Sequence, residues 1–368
     1  MNKIFAPLKS ADKIILLLVG LLGLISILML ESTVYDGGIV IARPVIIQGI
    51  SYILGFMVLV VIQHIDYRYF IGLEKFLYIA AIILLLLVYV PGLGKEQYGS
   101  RAWITLGFTT LQPSEFVKIL FVLIMAGYLS EHREDLNNLI GVVKAGLVAL
   151  PIILVVLKED LGSALVYIVM WIFMVFFAGI DYKIFIKSAL ITLAAIPVVY
   201  RFLDDYQKER IEAFLHPENL SLSGNYQVWQ SKVAIGSGGF FGKGLFHGTQ
   251  KSLDFIPVQQ SDFIFSVVVE ELGFIGGAGV ILIYAFLLTR FTRIIHDSVD
   301  MYGALIVVGF TAMFLFQAFE NIAMTMGMMP VTGITLPFLS GGGTSVIASM
   351  ISVGVIINVG VNSKAINF

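Results

Sequence analysis

Long apolar segments separated by short polar ones make up most of this chain. Ten such runs occur between residues 14 and 361, and none shows the strict alternation of a membrane β-barrel strand. A helix needs about 20 mostly apolar residues to cross a bilayer. The pattern therefore predicts ten transmembrane helices. They cover residues 14–30, 45–62, 76–90, 116–129, 139–157, 161–180, 184–200, 263–288, 302–326 and 344–361.

Composition supports this interpretation. Of the 368 residues, 58% are hydrophobic and only 13% are charged, whereas a soluble domain has about 25% charged residues. Water-soluble classes are therefore excluded. We predict an all-α polytopic membrane protein that forms a single domain over residues 1–368, with a large extracytoplasmic loop at 201–262. The net charge of −2 does not suggest a nucleic-acid partner, and the absence of cysteine excludes disulfides and thiolate chemistry.

The first apolar run could be mistaken for a signal peptide because Lys3, Lys9 and Lys13 precede it. Residues 31–35 contain no small-residue cleavage site, so we interpret the run as a retained first span.

Orientation follows from the distribution of basic residues. If the N-terminus is cytoplasmic, twelve Lys and Arg residues lie on the inner side and four lie in the short outer loops. Because basic residues near span ends resist translocation, both termini are predicted to be cytoplasmic and 201–262 to lie outside.

Several charged residues lie near the outer ends of the predicted spans. Glu115 and Lys118 share one helix face, while Arg101, Asp160 and Asp262 lie in or beside outer connections. Ionisable residues at such depth are costly and often functional. Structural roles remain open here: a neutral ion pair for Glu115 with Lys118, a helix cap for Asp262 and an interface anchor for Arg101.

A glycine-rich segment at 236–244 does not match a nucleotide phosphate loop. Ser237 and Gly244 occupy the positions where that motif needs glycine and a hydroxyl residue. The five histidines show no metal-ligand spacing. An enzyme of this composition would act at the outer face, without nucleotide, on a substrate activated beforehand.

A set of motifs resembles the SEDS family of bacterial shape, elongation, division and sporulation proteins. The resemblance runs in order from about residue 14 to residue 361, and its motifs follow. They are RAW at 101–103, QPSEFVK at 112–118, DLGS at 160–163, YQ at 206–207 with Arg210, NYQ at 225–227, GSGG at 236–239, GTQ at 248–250, SDFIF at 261–265, PVTG at 330–333 and LPFLSGGG at 336–343. Lys158-Glu159 and Gln260-Ser261 depart from the family pattern.

The resemblance implies a peptidoglycan glycosyltransferase that polymerises lipid II at the outer face of the bacterial cytoplasmic membrane. It also implies a class B penicillin-binding protein as partner, beside lipid II and membrane lipids. GTQ at 248–250 followed by SLDFIP at 252–257 resembles the RodA branch more than the FtsW branch, which implies a role in cell elongation and shape.

The resemblance places the family's essential aspartate at Asp262. Its polar cavity residues fall on Arg101, Glu115, Lys118 and Asp160. Further candidate substrate-binding residues within the motifs are Gln227, Lys243, Thr332 and Ser340.

The chemistry suggests roles for these residues. Asp262 would act as a base, and Arg101 or Lys118 would stabilise the leaving diphosphate. Alternatively, Asp262, Glu115 and Asp160 would hold Mg²⁺ or Mn²⁺, because hard cations prefer oxygen ligands. The residues alone do not decide between these two possibilities.

Three other functions remain open at this point. The chain could be a lipid II flippase or transporter, an FtsW-like division or sporulation-specific polymerase, or a scaffold without activity. The gathering of polar residues on one side favours the polymerase, because a transport path also needs charge deeper in the bilayer.

Overall fold

A computed structural model describes residues 12–35, 42–97, 100–106, 109–201, 203–222, 224–252, 255 and 258–362. Lys3, Lys9 and Lys364, which contributed to the orientation argument, lie outside the described residues. So do four positions of the 252–257 motif, at 253, 254, 256 and 257.

Every predicted span is helical, which confirms the all-α polytopic fold. Three shorter helices, α8, α9 and α10, lie in the long loop. In chain order the helices are α1 Lys13–Val34, α2 Arg43–Ile62, α3 Glu74–Leu86, α4 Pro113–Glu131, α5 Leu139–Glu159, α6 Leu161–Phe177, α7 Tyr182–Arg201, α8 Asp205–Leu215, α9 Asn225–Gly238, α10 Thr249–Ser252, α11 Ile264–Asp297, α12 Met301–Thr325 and α13 Gly343–Asn362.

Within the described residues, seven helices are long and apolar enough to cross a membrane: α1, α2, α4, α5, α11, α12 and α13. Helices α3 and α6 have 13 and 17 residues, respectively. A short 3₁₀ turn at Leu87–Tyr89 extends α3.

Local capping explains several helix starts. Asp12, Asn138 and Asp300 accept backbone N–H bonds at the first turns of α1, α5 and α12. A proline occupies the first turn of both α2 and α4, where its missing N–H is not needed.

The connection between α3 and α4 contains structure that the sequence analysis did not predict. It folds into a three-stranded antiparallel sheet with β1 at Gly94–Gln97, β2 at Ser100–Leu106 and β3 at Thr109–Leu111. Gly94 pairs with Ile104, and Thr105 with Thr110. The seven residues of β2 do not alternate between polar and apolar, and β1 and β3 have only four and three residues, so no period-2 pattern marks the sheet.

Helix α12 lies at the centre of the bundle and packs against α4, α6 and α11, while α2 packs along α13. The core between these helices includes Phe121, Phe310 and Phe314, which have no exposed surface.

Helix α11 is kinked at Gly273, where φ is +69°. A Cβ atom at Gly273 would lie 2.3 Å from the backbone nitrogen of Gly242. The kink therefore allows the glycine-rich segment to lie directly against α11.

Two buried acids of α11 hold the end of this segment and the residues that follow it. Glu271 accepts hydrogen bonds from Ser32 Oγ and the Phe246 N–H, at 2.6 and 3.1 Å. Glu270 accepts bonds from Lys243 Nζ and the Thr249 N–H, at 2.7 and 2.8 Å. These contacts fix Lys243 and the residues after it against α11.

Candidate active site

One end of the bundle carries a cavity of about 930 Å³. It is bounded by the start of α2, the sheet, the α5–α6 junction, α8, the start of α9, the turn before α11 and the segment between α12 and α13. We call this the cavity end of the molecule. The charged residues that line the cavity are Arg43, Lys95, Glu159, Asp160, Arg210 and Asp262.

Asp262 lies on the cavity wall in the turn immediately before α11. The cap position of that helix is Phe263, so the helix-cap role considered for Asp262 is wrong. Its Oδ1 accepts a hydrogen bond from Ser261 Oγ at 2.8 Å. Burial raises the pKa of Asp262 to about 6, while the Ser261 bond and the charge of Arg210 lower it and Asp160 raises it.

Asp160 faces the same cavity from the start of α6. Its Oδ1 accepts from the Ser163 N–H at 3.2 Å, and its Oδ2 accepts from Ser163 Oγ at 2.6 Å and from Gln112 Nε2 at 3.4 Å. Asp160 and Asp262 thus face one cavity with different hydrogen-bond donors around them.

Arg210 of α8 also lines the cavity, although the sequence analysis did not propose it as a site residue. Its Nη1 donates to the Thr332 carbonyl at 3.0 Å, and its guanidinium lies 5.7 Å from the centre of the Tyr206 ring. These contacts hold a cation close enough to influence the pKa of Asp262. In the sequence, Arg210 was a single arginine within a motif of the long loop. Its spacing from other residues could not distinguish it from a surface residue.

Arg101 occupies a different position from the one expected for a diphosphate ligand. It is exposed on β2, whereas the neighbouring Ala102 and Trp103 line the cavity. Its backbone N–H donates to Glu159 Oε2 at 2.8 Å. A role for its side chain in substrate binding stays a prediction.

Glu115 and Lys118 form an ion pair inside α4, with Oε1 and Nζ 2.7 Å apart. The residues are 7% and 2% exposed, and they lie behind the described cavity lining. A substrate role for this pair stays a prediction, because its partners in the structure are each other.

The proposed carboxylate set for a metal ion is not assembled in the described part of the chain. No three His, Asp or Glu side chains gather there as possible ligands. Asp160 and Asp262 share the cavity, but Glu115 is occupied by Lys118.

The remaining candidates separate into two groups. Gln227 and Thr332 line the cavity, whereas Lys243 pairs with Glu270 in the loop over α11. Ser340 accepts from the Leu336 N–H at 2.8 Å and donates to the Ser261 carbonyl. Ser340 therefore supports the turn that carries Asp262.

Glu159, one of the departures from the family pattern, has a structural explanation. Its carboxylate accepts from the Tyr89 hydroxyl and from the Arg101 N–H. Lys158 lies 5.0 Å from the centre of the Tyr89 ring. This departure connects the sheet to the α5–α6 junction beside Asp160.

Comparison with known proteins gives consistent matches over nearly the whole chain. The family model described as "Cell cycle protein", which covers FtsW, RodA and SpoVE, matches residues 10–365. Stage V sporulation protein E of Bacillus subtilis is 38% identical over 319 residues, 86% of each chain. Peptidoglycan glycosyltransferase MrdB of Escherichia coli is 34% identical over 317 residues, 85% of each chain.

Solved structures show the same similarity. A chain of a peptidoglycan synthase complex that coordinates polymerization and crosslinking is 28% identical, with a TM-score of 0.82 over 96% of this chain and 99% of that chain. The rod shape determining protein RodA of Thermus thermophilus is also 28% identical. It has a TM-score of 0.69 over 95% of this chain and 96% of its own.

Proposed function

This chain belongs to the SEDS family of FtsW, RodA and SpoVE, and we propose that it performs glycosyl transfer in the cavity around Asp262. The chain is a peptidoglycan glycosyltransferase. The observation that carries the assignment of the site is a half-buried carboxylate that shares one cavity with a fixed arginine.

In the proposed reaction, a sugar hydroxyl of one lipid II-linked chain attacks the anomeric carbon of another. A new glycosidic C–O bond forms and the C–O bond to the lipid diphosphate breaks. The hydroxyl proton passes to the base, and the bonding electron pair leaves with the diphosphate. The protein must therefore supply a base near the acceptor and positive charge near the leaving group.

Asp262 suits the role of the base. A catalytic base works best when its pKa lies near the operating pH, and burial brings the pKa of this carboxyl to about 6. At pH 7 most molecules would carry the ionised form, which is able to accept the proton.

Arg210 suits the role of the cation. A guanidinium can donate two parallel hydrogen bonds to phosphate oxygens. The Thr332 carbonyl and the Tyr206 ring hold this side chain in place before substrate binds. Arg43 and Lys95 add positive charge to the cavity lining.

Because Glu115 pairs with Lys118, the three-carboxylate set for Mg²⁺ or Mn²⁺ does not fit the described residues. Asp160 and Asp262 are the carboxylates of that set that face the cavity. Dependence on a divalent cation stays a prediction for the assay.

We also propose that the cavity end faces the outside of the cytoplasmic membrane. Basic residues cluster at the opposite end of the bundle, for example Arg68, Arg133 and Arg293, and such residues favour the cytoplasmic side. Both termini would then be cytoplasmic.

Lipid II would enter from the bilayer, and a class B penicillin-binding protein would cross-link the strands beside the cavity. A role in cell elongation belongs to the same proposal.

Polymerisation of purified lipid II, with the penicillin-binding protein present, tests the function. Wild-type protein should make glycan strands, and Asp262→Asn should lower the rate by about 10³-fold, within the usual contribution of a general base. Thermal melting checks that the variant is folded. Parallel reactions with Mg²⁺, Mn²⁺ or chelator test the cation.

A wild-type protein that makes no polymer would contradict the proposal. Movement of labelled lipid II across vesicles by both wild type and Asp262→Asn, without polymer, would instead indicate a transporter.

A further inference from the structure

Two consecutive polar residues of α12 lie beneath the turn that carries Asp262. Glu320 and Asn321 are both 0% exposed and lie behind the described lining of the cavity. Polar side chains buried inside a membrane helix are costly unless they make hydrogen bonds. Their partners therefore indicate what the pair does.

Asn321 connects the base to a neighbouring segment. Its Nδ2 donates to the Asp262 carbonyl at 2.9 Å and to the Ile334 carbonyl at 2.8 Å. One rigid amide thus holds the turn before α11 against the segment between α12 and α13.

Glu320 connects the same segment to the cation. Its Oε1 accepts a hydrogen bond from Thr332 Oγ1. The carbonyl of Thr332 in turn accepts from Arg210 Nη1 at 3.0 Å. Adjacent residues of α12 are therefore linked to the backbone of Asp262 and, through Thr332, to the guanidinium of Arg210.

We propose that Glu320 and Asn321 are a positioning pair that sets the placement of Asp262 relative to Arg210. The inference rests on the proposed function of the cavity. Both residues act through other groups. Their placement matters because the base and the cation must lie in a narrow geometry for transfer. A displacement of about 1 Å can cost about 10²-fold in rate.

The chain offers a matched control at the opposite end of the bundle. Asn358 of α13 is 2% exposed. Its Nδ2 also donates to two carbonyls, those of Ile62 at 3.0 Å and Ile65 at 2.9 Å. Asn321→Leu and Asn358→Leu therefore each remove a buried amide that donates to two backbone carbonyls.

Steady-state polymerisation by the full-length protein with its partner distinguishes a positioning role from a purely structural one. Asn321→Leu should lower kcat by about 10²-fold and change KM by less than about threefold, because binding groups remain in the cavity. Asn358→Leu should lower the melting temperature while kcat, expressed per folded molecule, stays near the wild-type value. Equal kcat values for the two variants would overturn the proposal.

A second pair of variants covers the case in which Asn321→Leu does not fold. Glu320→Gln keeps an oxygen that accepts from Thr332, whereas Glu320→Leu removes it. We expect kcat to fall by at least tenfold in Glu320→Leu and to be mostly restored in Glu320→Gln. Two equally active Glu320 variants would contradict the positioning role.

The proposal and the function on which it rests fail in different ways. Wild-type protein without polymerase activity would reject the function of the cavity. An active wild type together with a fully active Asn321→Leu would reject only the positioning pair.

Discussion

Asp160 and Asp262, two of the carboxylates that line the cavity, have different hydrogen-bond donors. Asp160 accepts hydrogen bonds from Ser163 and Gln112. Asp262 is half-buried and has the Ser261 hydroxyl as its side-chain donor. A buried carboxyl with a raised pKa, such as that of Asp262, is typical of a group that moves protons.

The activity should depend on the ionisation of Asp262. Burial raises its pKa from 3.8 to about 6, and the base works only when it is deprotonated. We therefore expect kcat/KM to be constant above pH 7 and to fall as pH decreases through about 6. Initial rates of polymerisation between pH 4.5 and 8.5 measure this acidic part of the pH profile. A midpoint near 4 would show that the base is not a buried carboxyl.

Arg210 gives a second prediction at this scale. Arg210→Gln should lower kcat/KM by about 10²-fold, which is a typical loss for one stabilising donor. Arg210→Lys should recover only part of the activity, because an ammonium lacks the planar fork. Exposed Arg293 at the opposite end of the bundle supplies the control substitution Arg293→Gln. Similar rates for Arg210→Gln and Arg293→Gln would argue against a role on the diphosphate.

At the scale of elements, α11 shows how a helix interruption supports the site. The kink at Gly273 lets the glycine-rich segment lie against α11, and Glu270 and Glu271 bind the backbone just after it, at Thr249 and Phe246. The same helix starts directly after Asp262. Loop and aspartate are therefore positioned by one element.

Substitution at the kink should be strongly destabilising. Gly273→Ala forces a side chain into a left-handed conformation and against the Gly242 backbone. The expected loss in free energy of unfolding is about 2–4 kcal/mol.

Gly279→Ala is the control in the same helix, since its added Cβ meets nothing within 4 Å. We expect this change to be neutral or stabilising by up to about 1 kcal/mol. Thermal melting in detergent compares them, and equal melting temperatures would contradict the account of the kink.

The whole molecule brings together segments that are distant along the chain. Residues from 43 to 345 line one cavity, and the main bundle around α12 holds them at one end. This convergence explains why the polar motifs lie in the connections on one side of the spans.

Membrane orientation is testable because the chain contains no cysteine. Glu218 at the cavity end and His296 at the other end have side chains that are 74% and 92% exposed. A membrane-impermeant maleimide applied to intact spheroplasts should label Glu218→Cys. His296→Cys should react only after permeabilisation. The reverse labelling pattern would contradict the predicted orientation.

Much of the fold could be predicted from the sequence. Each of the ten apolar runs became a helix, because a membrane requires backbone polar groups to be paired within the segment. The small sheet was missed, since its pairing depends on contacts across a turn. In the site, Asp160 and Asp262 were found as rare charges at span ends, whereas Arg210 resembled any loop arginine.

The sequence by itself determined the membrane fold, the family and the side on which polar residues gather. Those properties follow from local hydrophobicity and from motifs that are continuous along the chain. Only the tertiary structure decided which charges meet. It brought Arg210 and Asp262 to one cavity and set Asn321 beneath the turn that carries Asp262. Such assignments depend on distances between residues far apart in sequence, and these distances exist only once the helices have packed.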